Sequence, residues 1–426
     1  EFRRVLFRSH IKNCIGKKTS LCFRGSFFPD TIFYMKTEID LNTNTNASLD
    51  SVIKKLIETS KKPFEKSTPI PSAVNHSVQF YNHEQERIFN QEWICIGRCD
   101  EIPSPGDYLT HEVAGTPVLA VRQDSGDIMG FVNACAHRFT CLVQERSGHA
   151  FAFTCPNHAW TYGIDGQLNH APFMDSKPDF NSTKNNLEPL HTETWEGFLY
   201  ISLSQKPSKS ISKSLKQLSE NIVGQYDMSS YKSVIRETMS WDANWKNLIE
   251  NFTESYHVPI AHQKTFANHK KQIKDYECGE DSDHYCYHFA PQESDTGLGA
   301  AHPNNTKLKG KWRRTMVDFC IFPNHLVTLM PDYLWWVSVM PSGVGKFQAT
   351  WGVAVPPEIL DEIPKDSYDN WLTEMINYMG DANEEDRALV EGLFRGSTSS
   401  RLPKGTLHPI EKNLWQFMRY LSKMTG

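Results

Sequence analysis

Apolar positions first recur at helical spacing. In residues 47–66, ASLDSVIKKLIETSKKPFEK, Leu49, Val52, Ile53 and Leu56 fall on one side of a helix. A Pro/Ser-rich link, STPIPSAVNHS, follows, and HEQERIFNQEW predicts a second, shorter helix. From Ile94 to about Ser204 the period changes. Short apolar runs such as TPVLAVRQDSGDIMGFVNA alternate with Asp-Gly and Ser-Gly turns, the mark of an all-β unit, and QDSGDI and YGIDGQL predict hairpin turns. SQKPSKSISKS, residues 204–214, reads as a solvated linker. Beyond it the pattern is mixed. NHLVTLMPDYLWWVSVMPSG and KFQATWGVAVP predict sheet, while NEEDRALVEGLFRG and EKNLWQFMRYLSKM predict helices. No internal repeat is visible.

A chain of 426 residues has room for two or three domains. The net charge of -5 is spread without a basic block, which argues against nucleic acid as a partner. No apolar run reaches the roughly 18 residues needed to cross a bilayer. Ten cysteines without a dense framework or a secretory signal point to a reducing, cytoplasmic compartment. The opening EFRRVLFRS resembles a translated sequencing adapter. Residues 1–34 are expected to be a non-native or disordered extension, with Met35 as the start and with no functional weight on Cys14 or Cys22.

Two Cys–His pairs stand out: Cys135 with His137, and Cys155 with His158, with 17 residues between the pairs. One reading is ordinary core residues. A second is structural zinc, although zinc motifs usually pair Cys with Cys and His with His. A third is a [2Fe-2S] cluster, with Cys135 and Cys155 on one iron and His137 and His158 on the other. Replacing two thiolates by neutral imidazoles removes negative charge, so such a cluster accepts an electron more readily. Gly148 and Gly163 are expected to permit the sharp turns nearby.

A second constellation lies in NWKNLIENFTESYHVPIAHQ. His257 and His262 are five apart, about 140° around an ideal helix, so one straight helix would not aim both at one metal. Pro259 between them is expected to kink or end the helix and swing His262 back. Glu254, three before His257, shares its helical face. Two histidines and one carboxylate would complete a face of three ligands with positions left open. DANEEDRALVEGLFRG offers Asp386, expected in the first turn of a helix capped by Asn383, with Glu385 as a rival. Both acids could instead merely serve the helix dipole.

The residues CPNHAWTYGIDGQL and HRFTCL, with Cys-x-His-x17-Cys-x-x-His, resemble the Rieske domain of ring-hydroxylating oxygenase α subunits. The order N-W-K, then acid-x-x-His-x4-His, then Glu-Asp resembles the catalytic domain of Rieske non-haem iron oxygenases. The likeness runs from about residue 75 to the end. It implies an α+β protein: an all-β Rieske [2Fe-2S] domain at 92–204, a mixed α/β catalytic domain at 205–426 with an antiparallel sheet flanked by helices, and an N-terminal helical segment, 35–91, packed on the latter. It makes Cys135, His137, Cys155 and His158 the cluster ligands. It makes His257, His262 and Asp386 the ligands of a mononuclear Fe(II), and puts Glu254 and Asn244 among the catalytic residues. Phe139 and Asn157 depart from the family, which usually has Gly and an aromatic residue there. Phe394 stands where Gln-Arg-Gly is common.

The resemblance further implies a homotrimer in which Glu254 bridges the cluster of one subunit and the iron of the next. O2 is the co-substrate. Electrons come from NAD(P)H through a separate reductase, directly or through a ferredoxin, since no Gly-x-Gly-x-x-Gly segment follows a strand here. Glu rather than Asp at 254 resembles the branch that acts on carnitine and glycine betaine, whose cations aromatic faces would attract. Strand alternation places Tyr333 and Trp335 on one face and Trp336 on the other, where they could be pocket wall or ordinary core. The expected reaction is hydroxylation or demethylation of such an onium compound. The alternatives are dihydroxylation or O-demethylation of an aromatic acid and, from another class, a Rieske electron carrier without catalytic iron.

Overall fold

The computed structural model describes residues 47–207, 209–266, 276–291, 299–399 and 401–426. The stretch 1–34 read as non-native lies outside the described residues.

The alternating segment forms ten strands: β1 Ile94–Arg98, β2 Asp107–Val113, β3 Thr116–Arg122, β4 Ile128–Val132, β5 Ser147–His149, β6 Ala152–Thr154, β7 Thr161–Gly163, β8 Leu168–His170, β9 Pro189–Trp195 and β10 Phe198–Ser202. Seven make one sheet in the order β1-β10-β9-β4-β3-β2-β5, and β6-β7-β8 make a small separate one. The two predicted hairpins are present, as β3–β4 and β7–β8. Between the sheets lies a small core that includes Tyr108, Leu119, Phe131, Trp160 and Tyr162, and that also takes in Cys135 and Cys155.

The rest of the chain adds β11 Lys232–Trp241, β12 Glu277–Cys278, β13 Tyr285–Pro291, β14 Thr315–Ile321, β15 His325–Met330, β16 Tyr333–Gly343 and β17 Lys346–Val355. They form a second seven-stranded antiparallel sheet, β11-β17-β16-β15-β14-β13-β12. Helices α1 Leu49–Ser60, α2 Val78–Glu84, α3 Trp245–Phe252, α4 Val258–Ala261, α5 Tyr368–Gly396 and α6 Lys412–Thr425 accompany it. The fold is thus α+β, a strand-rich unit followed by an antiparallel sheet with helices.

Helix α1 starts where a capping serine allows: Ser48 Oγ accepts from Ser51 N, and Val52 and Leu56 are buried. It packs on α6. The N-terminal segment is further fixed by a buried ion pair, Lys246 Nζ to Glu84 Oε1 at 2.7 Å, with both side chains fully buried. The short helix predicted from His83 begins earlier, at Val78, because Ser77 Oγ caps it by accepting from Phe80 N. The 204–214 linker is only partly one. Ser210 caps a turn of helix at Ile211–Ser214, and Ile211 is buried, so this end of the segment is structured.

Helix α5 corrects a larger expectation. It has 29 residues and begins at Tyr368, so Asp386 lies well inside it and Asn383 is a buried helical residue, not an N-cap.

Candidate active site

The first ligand set is built by two loops that fold alike. Between β4 and β5, Cys135 N donates to Thr140 O at 2.9 Å and Phe139 N to Cys135 O at 2.8 Å. Between β6 and β7, Cys155 N donates to Trp160 O at 2.7 Å and Ala159 N to Cys155 O at 3.0 Å. The same ring of bonds thus closes at each Cys–His pair. In both loops the fourth residue after the cysteine is left-handed, Phe139 at φ 62° and Ala159 at φ 56°. Gly148 and Gly163 are not left-handed, contrary to expectation. Gly148 is needed for packing, since a Cβ there would lie 2.6 Å from Tyr108 Oη.

The loops bring all four candidates together. Cys135 and Cys155 are buried, 1% and 2% exposed, while His158 is exposed. The imidazoles of His137 and His158 lie 4.6 Å apart between ring centres, and His137 stacks on Trp160. Tyr162 Oη lies 3.2 Å from Cys135 Sγ and accepts from Ala136 N at 3.0 Å, so its own proton is free for the sulfur. Burial pushes the Cys135 thiol above its usual range, a cost that coordination to a cation would remove. Desolvation, with His158 and Arg138 nearby, holds His137 below its usual value, in the neutral form a ligand needs. Two adjacent buried thiols with two surface imidazoles fit a cluster ligated by two Cys and two His.

The second set lies where α3, α4 and α5 meet. Helix α3 ends at Phe252, and the chain runs irregularly to His257, which precedes α4; His262 follows it. The two histidines therefore flank one short helix. Pro259 sits in its first turn, where a missing N–H costs nothing, and kinks no longer helix. Glu254 is not helical either. Its carboxylate accepts from Tyr256 N and His257 N and bonds His257 Nδ1, so the loop itself aims it.

His257 Nε2 and His262 Nε2 lie 3.5 and 3.1 Å from Asp386 Oδ1, and one ligand atom from each residue falls within 4.8 Å of the others. The two acids of α5 divide the work. Asp386 faces the histidines and accepts from Asn251 Nδ2 at 2.8 Å. Glu385 stands behind His262, 3.1 Å from Nδ1, and is itself held by Lys264 N at 2.8 Å and by Thr265 Oγ1. Each imidazole thus has a carboxylate on Nδ1 and turns its Nε2 toward Asp386 Oδ1. That fits a 2-His-1-carboxylate metal site with its outer partners in place.

The electrostatics agree. Burial alone would lower His257, but hydrogen bonds with Asp386 and Glu254 outweigh it and raise it to about 10. Burial would raise Asp386, yet bonds with His257 and His262 hold it far below the usual carboxylate range. Such a cage favours a positive charge at its centre, which a divalent cation supplies.

The site opens into a cavity lined by Phe252, Phe266, Tyr276, Met316, Met330, Tyr333, Trp335 and Met379, with Asp318, Thr328 and Ser255 as polar members. Tyr333 and Trp335 face it, as alternation predicted, whereas Trp336 packs in a different core against Phe198. Asn244, expected among the catalytic residues, does not line it. Its Oδ1 caps α3 by accepting from Lys246 N, and its Nδ2 donates to Asn75 O and Val344 O at 3.1 and 2.7 Å. The N-W-K motif therefore anchors α3 and the N-terminal segment. Sequence reasoning missed Asn251, Tyr162 and Asp318. A lone acid in the apolar run TMVDFCIF was a signal for the last.

Comparison with known proteins follows the same division. A model of the Rieske [2Fe-2S] domain matches residues 92–187, and one of the ring hydroxylating alpha subunit (catalytic domain) matches residues 228–426. The carnitine monooxygenase oxygenase subunit of Escherichia coli K12 is 31% identical over 194 residues, 45% of this chain and 52% of that protein. The chain thus spans about half the length of such relatives. Chloroplastic choline monooxygenase of Spinacia oleracea is 27% identical over 390 residues, 90% of this chain and 84% of that protein. In fold, a crystallised quaternary ammonium Rieske monooxygenase that oxidises carnitine matches with a TM-score of 0.74 at 23% identity, over 87% of this chain and 98% of that one. With both family models in place over most of its length, the chain belongs to the Rieske non-haem iron oxygenases.

Proposed function

We propose that this chain is the terminal oxygenase component of a multicomponent system that hydroxylates or demethylates a small quaternary ammonium compound, using O2 and NAD(P)H-derived electrons from a separate reductase. Cys135, His137, Cys155 and His158 would hold the [2Fe-2S] cluster, and His257, His262 and Asp386 the mononuclear Fe(II), within units taken as 92–204 and 205–426. The cluster supplies single electrons, and the Fe(II) supplies a centre at which O2 can be activated. The observation that carries the reading is the convergence of both Nε2 atoms and the Asp386 carboxylate at the mouth of an aromatic cavity. A pure electron carrier would have no use for it.

The side chains have separable tasks. Glu254 and Glu385 fix the tautomer and direction of the two imidazoles from behind. Asn251 holds the Asp386 carboxylate at a set angle. The apolar wall of Phe252, Met316, Met330 and Met379 excludes water around the substrate. Glu254 would also link His257 to His158 of a neighbouring copy in a homotrimer. Apolar side chains stand in solvent beside both centres, Phe139 (81% exposed) near His137 and Ile260 (79%) between His257 and His262, which supports contact surfaces at both. Among the described residues no helix is long and apolar enough to cross a membrane, and every described cysteine is free, which supports a reducing cytoplasm.

The test is metal analysis with oxygen uptake. Purified protein is expected to carry about three irons and about two sulfides per chain, and to consume O2 with a surrogate reductase when given betaines, carnitine or choline. Uptake with aromatic acids alone would overturn the substrate class, and about two irons per chain would overturn the enzyme.

A further inference from the structure

Resting on the onium reading above, we infer that Asp318 is the counter-ion that recognises the cationic head of the substrate. The cavity floor is the face of the second sheet, and the cross-strand register lines up His288, Asp318, Thr328 and Trp335 as one row across β13, β14, β15 and β16. Alongside it, Met330 lies opposite Tyr333. A polar row thus runs beside an apolar one, with Asp318 the acid among its cavity-lining members.

The charge on Asp318 is held in place but not cancelled. Thr328 Oγ1 donates to its Oδ1 at 2.6 Å, and His288 Nε2 lies 3.2 Å from its Oδ2. Whether His288 brings a positive charge is decided on its far side. Asn413 Nδ2 donates to Thr253 O at 3.1 Å, which fixes that amide's orientation, and the same Nδ2 faces His288 Nδ1 at 3.3 Å. A donor opposite Nδ1 leaves that nitrogen as the acceptor, so His288 is the neutral tautomer with its proton on Nε2. That proton serves Asp318 or Ser255, whose Oγ lies 2.7 Å away. Asp318 therefore keeps its negative charge at the cavity floor. No lysine or arginine is among the described lining residues.

A quaternary ammonium group has no N–H to donate. It is recognised by diffuse attraction to negative charge and to aromatic faces, and Tyr333, Trp335 and Tyr276 line the same space. A fixed carboxylate there also offsets repulsion between the substrate's cation and a nearby metal cation. The same charge works against a carboxylate substrate bound at that floor.

The holoenzyme is titrated calorimetrically with choline and with its neutral carbon isostere, in which C replaces N, and with glycine betaine and its carbon isostere, which keeps the carboxylate and loses only the positive charge. Wild type is expected to prefer the cations by roughly tenfold or more. Asp318→Asn is expected to erase most of that preference, with iron content unchanged, and to raise KM far more than it lowers kcat for whichever cation is turned over. If D318N keeps the full preference, Asp318 is not the counter-ion, while the onium reading stands. If wild type binds neither cation, the onium reading falls, and this inference with it. Should D318N fail to fold, Thr328→Val keeps the charge but loosens it. It is expected to cut the preference by a few fold, and an unchanged preference overturns the assignment.

Discussion

The two ligand sets are built in opposite ways. The four proposed cluster ligands fall within 24 consecutive residues, and backbone bonds local to each loop shape them. The proposed Fe(II) ligands come from segments more than a hundred residues apart, and side chains aim them: Glu254, Glu385 and Asn251. A cluster site made by backbone should tolerate changes around it and fail only at its ligands. A site made by side chains should degrade in steps as its supports are removed.

The largest effects separate the centres outright. Asp386→Ala is expected to abolish turnover and lose the mononuclear iron while the visible spectrum of the cluster persists. Cys155→Ser is expected to bleach that spectrum and leave the mononuclear site able to bind added Fe(II). Iron analysis and absorbance on the same samples check both. Loss of both centres from either variant would mean that they do not fold independently.

Next come the supports. Glu254→Gln and Glu385→Gln each exchange a carboxylate for an amide behind one imidazole. Each is expected to weaken Fe(II) binding or activity by roughly 10- to 100-fold. E385Q should act mainly on metal affinity. E254Q should retain both metals and act mainly on coupled turnover, because Glu254 also faces the proposed subunit junction. Fe(II) titration against steady-state O2 uptake separates the two, and equal profiles would remove the special role of Glu254.

A smaller effect is expected at the cluster. Tyr162→Phe removes one hydrogen bond to Cys135 Sγ without changing the loop ring. The bond favours the more negative, reduced state. Its loss, worth about 1 kcal/mol, should lower the reduction potential by about 40 mV. Spectroelectrochemical titration reads this directly, and a rise would show that the hydroxyl points elsewhere.

The same contrast explains what could be read in advance. The grouping of Cys135, His137, Cys155 and His158 was legible because a local loop writes its side chains at fixed spacing. The strand pattern, the QDSGDI and YGIDGQL hairpins and the alternation of Tyr333, Trp335 and Trp336 were legible for the same local reason. The division of Glu385 from Asp386 was not. Which of two adjacent acids faces inward depends on where a 29-residue helix starts, and its start at Tyr368 carries no side-chain cap to announce it. Pro259 was misread as a breaker because the irregular stretch before His257 had already ended α3. Asn244 sits in a motif that resembles catalytic sequence, yet its partners Asn75 and Val344 lie about a hundred or more residues away, and only the fold shows that it is an anchor.

The last effect concerns stability on the side-chain-built site, away from turnover. Glu250, on α3 between Lys246 and the Glu254 loop, is buried and bonds only Asn247 Nδ2 among the side chains described, at 3.2 Å. Burial pushes its carboxyl up to about 7, against relief from Asn247 and Lys246. The folded state therefore binds a proton more tightly than the unfolded chain, whose glutamates titrate near 4.3. Between those values the folded form holds more protons, so the contribution of Glu250 to stability falls as pH rises from about 4.3 to about 7, and is flat above. Glu250→Gln, which keeps the shape without the charge, is expected to stabilise the protein at pH 8 by on the order of 1–3 kcal/mol, and by progressively less toward pH 5. Urea denaturation of wild type and variant at several pH values checks it. A gain that grows toward acid would mean that Glu250 is ionised and paired in the folded protein, and that α3 is held by charge on this side as well.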